Sequence, residues 1–272
     1  MLKSSVLEDS YASNLFEQKA VVKNSAASFR QGSCWSSSCD DKQTLKAILF
    51  VLTTGCRWAD LPREYGSYAT AWRRLRRWTR DGTLVRIWDV LLAKLEFKGK
   101  LDLKKCHWML VCSRKKGGQL VGRTCGGSTS KRHAVVEGNG WPLAVVLSDG
   151  RCHDITRAVA TVESSQMGWL RRRPRGLVAD KRYDWAFRRY LSMRGIWHSI
   201  PERKKPKRKW GRPPAFHRDL SSNCGQVERF FAWLDNFRRL ATRFERLCMI
   251  HLGFIQLAYV RNLLRNVLKC SL

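Results

Sequence analysis

Gly176-Leu177-Val178-Ala179-Asp180 is a short apolar run that ends in an aspartate, after a basic connector broken by Pro174. Such a run reads as a buried strand. A helix is expected over 184–194, stopped by Gly195, and another strand over 196–200. Upstream the pattern differs. Residues 106–112, 119–123 and 131–137 read as strands, and Gly138-Asn139-Gly140 is a hairpin turn into a strand over 141–147. After His153-Asp154 a helix is expected over about 156–170. Strands joined first by hairpins and then through helices make an α/β fold with a sheet of mixed direction. Reactive groups in such sheets gather outside the carboxyl ends of strands, where Asp180 falls.

A second stretch, Val227-Glu228-Arg229-Phe230-Phe231-Ala232-Trp233-Leu234-Asp235-Asn236-Phe237-Arg238-Arg239-Leu240, has another period. Val227, Phe230, Phe231, Leu234, Phe237, Ala241 and Phe244 recur at steps of three and four, which predicts one helix with one buried face. Glu228 lies at the border of that face, and Arg229, Arg238, Arg239 and Arg243 lie opposite. Taken alone, Glu228 is a surface glutamate paired with a neighbouring arginine. A last apolar helix is expected over 247–268. Between the two stretches, residues 202–214 (ERKKPKRKWGRPP) form a basic, proline-rich loop, either a linker or a phosphate contact through Lys204, Lys205, Lys207 and Arg208.

The amino-terminal third is helical in pattern. Residues 1–40 are weakly patterned and rich in serine. Asp40 and Asp41 precede Leu45, Ile48, Leu49 and Leu52, an N-capped amphipathic helix that Gly55 ends. Arg57-Trp58-Ala59-Asp60-Leu61-Pro62 reads as a turn. Ser67 then caps a helix over 68–80 with an apolar stripe of Tyr68, Ala71, Trp72, Leu75 and Trp78. Arg73, Arg74, Arg76, Arg77 and Arg80 lie on its other face, and a third helix is expected over 84–95. Three helices with an arginine-rich middle one suggest a helix-turn-helix-like module, with Arg73, Arg74 and Arg77 on DNA. The expected divisions are 1–40, a helical DNA-binding domain over 41–97, and an α/β domain over 98–272.

Composition narrows the partner. The 272 residues carry 52 Lys+Arg against 22 Asp+Glu, a formal charge of +30. A compact chain repels itself at that charge, so a polyanion is the natural counterweight, and nucleic acid fits best. Hydrophobic content of 44% with twelve Trp argues for a folded protein rather than a disordered tail. No apolar run approaches the roughly 20 residues that span a bilayer, and no signal-peptide pattern opens the chain. The ten Cys form no Cys-x-x-Cys pair, which argues against a structural zinc site and for reduced thiols in a cytosol.

Three blocks together resemble a known family. They are Ile48-Leu49-Phe50-Val51-Leu52-Thr53-Thr54-Gly55-Cys56-Arg57-Trp58-Ala59-Asp60-Leu61-Pro62, Leu177-Val178-Ala179-Asp180-Lys181-Arg182-Tyr183-Asp184, and Val227-Glu228-Arg229-Phe230-Phe231-Ala232-Trp233-Leu234. In this order they resemble bacterial insertion-sequence transposases of the DDE class, in the insertion-sequence-five-like group, from about Asp41 onward. The resemblance implies a ribonuclease-H-like catalytic domain in which three carboxylates hold two Mg²⁺ or Mn²⁺ ions for phosphodiester cleavage and strand transfer. It implies double-stranded DNA as partner, both inverted-repeat ends and target, a homo-oligomer on that DNA, and a bacterial cytoplasm with nucleoid association.

Asp180 matches the family's second aspartate and Glu228 its glutamate. The first aspartate belongs on a strand like His-Leu-Asp-Gly, and the matching segment is Cys106-His107-Trp108-Met109-Leu110, which places Met109 at the acid's position. Asp102 is the nearest substitute, and Glu137 matches a family turn acid outside the catalytic trio. The tyrosine, arginine and lysine that the family places around its glutamate are replaced by Ser221, Cys224 and Asp235. Three readings stay open: a transposase with impaired chemistry, a non-catalytic DNA-binding remnant of one, and an RNA-binding protein of ribosomal type.

Overall fold

The computed structural model describes residues 40–114, 118–124, 127–164, 174–180, 183, 185–201 and 225–269. The chain forms two compact units. One holds residues up to Gly99 together with Leu234 onward, and the other spans Lys100–Trp233. A single cut near residue 97 therefore does not divide the chain, because its carboxyl end packs with the amino-terminal helices.

In the first unit, α1 (Asp41–Thr54), α2 (Tyr68–Arg80) and α3 (Thr83–Phe97) follow the apolar periods closely. The Asp40 side chain caps α1 by accepting the Lys42 N–H at 2.9 Å. Gly55 closes α1 in the left-handed region at φ +73°. A Cβ there would also stand 2.7 Å from the Cβ of Arg238, so only glycine fits. Against α2 and α3 lies α8 (Cys248–Lys269). Its apolar face carries Phe254, Ile255, Tyr259 and Leu263, all fully buried. Trp88 meets Tyr259 edge to face at 5.0 Å, and Trp58 stacks on Phe254 at 5.5 Å. Gly253 gives α2 its closest approach, since a Cβ would strike Thr79 and Leu75. No helix among the described residues is long and apolar enough to cross a membrane.

The single helix expected from Val227 to Phe244 is two. α6 covers Gly225–Asp235 and a short α7 covers Arg238–Ala241, with Phe237 extended between them (φ −79°, ψ 106°). One extended residue resets the helical phase, so the faces exchange. Arg239 and Arg243 are buried at 5% and 2%, while Ala241 and Phe244 are exposed. The arginines expected in solvent become core groups. Glu245 accepts from Arg239 Nε at 2.9 Å and Nη2 at 2.6 Å, and Arg239 Nη1 donates to the Cys56 carbonyl at 3.0 Å. Burial lowers the Arg243 pKa, and its Nε donates to the Glu245 carbonyl at 3.2 Å.

The second unit is a mixed α/β structure. β1 (Cys106–Arg114) pairs antiparallel with β3 (Gly127–Val136) and parallel with β5 (Gly176–Val178). β4 (Pro142–Asp149) pairs antiparallel with β3, and β6 (Trp197–Ser199) pairs parallel with β5. A short β2 (Gly122–Thr124) hairpins onto the start of β3. α4 (Asp154–Ser164) and α5 (Trp185–Met193) flank the sheet.

Alternation sorts β3 between two faces. Lys131 reaches α4, bonding Asp154 at 2.6 Å, and His133 shares its side. Arg132, on the other side, lies 5.9 Å from the Phe231 ring of α6.

Glu137 ties the hairpin to the entry of β1. It is fully buried and accepts the backbone N–H groups of Asp102 (2.6 Å), Asn139 (2.8 Å) and Trp141 (3.0 Å). Burial pushes its carboxyl up to about 7 from 4.5, against the pull of those three donors. Between these values the folded chain holds a proton that the unfolded chain has released. This contribution to stability is complete below about 4.5 and lost as pH rises toward 7. His133 acts in the opposite sense. Burial lowers it from 6.5 to about 4, with Ser148 Oγ at 2.7 Å from Nε2. Its contribution is complete above 6.5 and lost as pH falls toward 4. Glu137→Gln turns an amide nitrogen toward the Asp102 N–H and costs about 1–3 kcal/mol. Urea midpoints measured across this pH window should rise with pH more steeply in the variant than in the parent. Parallel profiles would refute the assignment.

Candidate functional site

The site begins at the carboxyl end of β5. Val178 is the last paired residue, and Asp180 follows two positions later, exposed. The parallel register sets Cys106 beside Leu177 and His107 beside Val178. Carried on by two residues, it brings Met109 level with Asp180. Across the other edge of β1, Met109 stands opposite Ala134 of β3. An acid on the central strand beside Asp180 would occupy position 109, and the chain has methionine there.

Glu228 lies in the first turn of α6 and is exposed. Phe231, three residues on, is buried, with the Arg132 guanidinium over its ring. Arg132 is itself 1% exposed. Composition and spacing do not single out this arginine, although Lys131-Arg132-His133 in a strand must turn one side of the charged run inward.

Asp102 does not lie beside Asp180. Its Oδ1 accepts the Lys104 N–H at 3.0 Å, and its backbone is held by Glu137. The neighbouring Leu103 carbonyl accepts the Arg175 N–H at 2.9 Å, which puts Asp102 at the amino end of β5. Asp180 lies five residues beyond Arg175, about 16 Å away at 3.3 Å per residue. Glu137 is at that same amino end and fully committed.

The donor set does not fit a two-ion centre. The resemblance assigns two carboxylates, Asp180 and Glu228, and a methionine thioether is a soft donor that does not replace carboxylate oxygen for Mg²⁺. Among the described residues no group of three or more His, Cys, Asp or Glu is placed to hold a metal ion. Asp235, where the resemblance implies a lysine or similar residue, is exposed on α6.

On α2, Arg73, Arg76, Arg77 and Arg80 are exposed at a spacing of three, four and seven, a continuous stripe along one face. Arg76 lies over Trp72 at 5.6 Å. Arg74 stands apart from this stripe. Its Nη1 lies 2.8 Å from Asp41 Oδ1, with side chains only 17% and 9% exposed, so it is engaged within the helical unit. The cations Lys204, Lys205, Lys207 and Arg208, with Ser221 and Cys224, lie outside the described residues.

Comparison with known proteins gives two family matches. Residues 109–263 match the family described as "Transposase DDE domain", and residues 23–88 match "Putative transposase of IS4/5 family". Among curated proteins, the chain is 35% identical over 138 residues to "Putative transposase for insertion sequence element IS402" of Burkholderia cepacia, covering 47% of this chain and 59% of that protein. It is 42% identical over 87 residues to "Insertion element IS402 uncharacterized 16.2 kDa protein" of the same organism, covering 31% of this chain and 59% of that protein. The chain thus spans 59% of the length of each of these relatives.

Proposed function

The chain belongs to the transposases with a DDE domain, and on that footing we propose that it is an insertion-sequence transposase that binds duplex DNA and whose strand cleavage is impaired at position 109. The observation that carries this reading is the register of β1 on β5, which brings Met109 level with Asp180. The strand order supports a ribonuclease-H-like arrangement. β1 is central, with β5 and then β6 parallel on one side, and β3 and then β4 antiparallel on the other.

Domains of this family generally use divalent metal ions to cleave phosphodiesters. Here Asp180 and Glu228 are the ligands that remain. The DNA substrates are inverted-repeat ends and a target duplex, handled by a homo-oligomer in the bacterial cytoplasm and nucleoid. Arg73 and Arg77 hold the phosphate backbone from α2, and Lys204, Lys205, Lys207 and Arg208 add contacts from the basic loop. Arg74 acts through Asp41 to keep α1 and α2 together. The second reading, a DNA-binding protein with no cleavage at all, is favoured by the same methionine.

Binding of a labelled duplex across a salt series tests the DNA assignment. Arg73→Ala/Arg77→Ala should reduce the slope of log affinity against log salt by about 1.8, roughly 0.9 for each lost phosphate contact. Arg74→Ala should leave that slope unchanged and lower thermal stability. Binding that is blind to Arg73 and Arg77, or a strong preference for RNA, would overturn the assignment.

A further inference from the structure

The face of the sheet that carries position 109 also carries a buried cation. Arg132 of β3 stands opposite Val111 of β1, as Ala134 stands opposite Met109. Residues two apart on a strand share a face, and residues opposite one another in an antiparallel pair share it too. Arg132 therefore lies on the same face as position 109, about 8 Å away between backbones. Val178 pairs with His107, two residues before Met109, so this face continues across β5 to Asp180, about 12 Å from Arg132.

Arg132 is 1% exposed, and its Cζ lies 5.9 Å from the centre of the Phe231 ring. Glu228 precedes Phe231 by three residues on α6, so about one helical turn separates that contact from Glu228. Packing does not require a charge here, since Ala134 and Val136 fill the same face of β3 and are fully buried. A charge so deep is costly unless the fold answers it. Asp149, on this face opposite Ser130, is turned toward the end of β4. Its Oδ1 accepts the Arg151 N–H at 2.8 Å, and its Oδ2 is 3.7 Å from the Arg151 side chain. The acids of the candidate site, Asp180 and Glu228, lie within the field of Arg132.

We propose that Arg132 is a fixed internal cation of this site, whose guanidinium supplies positive charge to the face of Asp180 and Glu228 from within the fold and opposes the binding of divalent ions there. The inference rests on the transposase reading of position 109, and it adds a second cause of impaired cleavage to the missing carboxylate. Arg132 is too buried to touch DNA and acts through its charge alone. Repulsion of a divalent ion over about 8–12 Å weakens binding about tenfold or more at an effective dielectric constant near 20.

The test is Mn²⁺ titration calorimetry on the full chain, without DNA, with a urea midpoint for each variant. Met109→Asp/Arg132→Met should bind Mn²⁺ about tenfold or more tighter than Met109→Asp. Met109→Asp/Arg132→Lys, which keeps the charge, should stay close to Met109→Asp. Arg132→Gln, neutral and still able to donate hydrogen bonds, serves as the second neutral variant if Arg132→Met does not fold, and the same tightening is expected. A packing role alone would lower the urea midpoint and leave the ion affinity of Met109→Asp unchanged, which would overturn the role of Arg132 and leave that of position 109 standing. No gain in Mn²⁺ affinity over the parent in any of these chains would overturn the reading of position 109, and this inference with it.

Discussion

Met109→Asp is expected to raise Mg²⁺- or Mn²⁺-dependent nicking of supercoiled plasmid by about 10²-fold or more over the parent chain. The substitution puts a carboxylate on the central strand, level with Asp180. With Asp180 and Glu228, the residues that would hold the ions then number three hard carboxylates instead of two. The gain should vanish when Asp180→Asn or Glu228→Gln is added, because each removes a ligand that Met109→Asp needs. The loss should be far from additive, since the three groups act as a unit. Nicking by the parent chain that survives Glu228→Gln would show that the cut is made elsewhere.

Breaking the Arg239–Glu245 pair has the largest expected effect on stability. Both side chains are buried, at 6% and 8% exposure, and Arg239 also holds the Cys56 carbonyl. Glu245→Gln leaves a guanidinium charge without its counter-ion away from water. The expected cost is about 3–5 kcal/mol, read as a lower urea midpoint. Replacing both partners, with Arg239→Met/Glu245→Leu, should recover most of that loss, because no uncompensated charge remains. A single variant within about 1 kcal/mol of the parent would mean that the pair is solvated.

Parts of this architecture are legible in the sequence for local reasons. α1 and α2 announce themselves through Asp40, Gly55 and an apolar period that no residue interrupts. The hairpin at Gly138-Asn139-Gly140 is equally local, with Gly140 at φ +94°. The helix after Val227 is misleading for the opposite reason. Its period continues past Asp235 on paper, while Phe237 turns the chain and buries Arg239 and Arg243. Cys56, which Arg239 holds, is 183 residues away in sequence and invisible to any local window.

The site divides in the same way. The strand-end rule nominates Asp180, the resemblance nominates Glu228, and their positions after β5 and in the first turn of α6 are what the structure adds. Met109 is named by the same resemblance, and the pairing of β1 with β5, distant in sequence, sets it level with Asp180. Asp102 is near in sequence, and the Leu103–Arg175 bond places it at the wrong end of the strand. Arg74 resembles its neighbours on paper, and Asp41 beside it sets it apart. Charge and spacing name candidates, and pairing across the fold decides among them.

Mn²⁺ binding by titration calorimetry, without DNA, tests the central claim most directly. The parent chain, Met109→Asp and Met109→Asp/Asp180→Asn would be compared. Position 109 as the lost ligand predicts weak binding by the parent, at least about tenfold tighter binding by Met109→Asp, and reversal in the double variant. Tight binding of two ions by the parent, or a Met109→Asp isotherm that matches it, would contradict the claim.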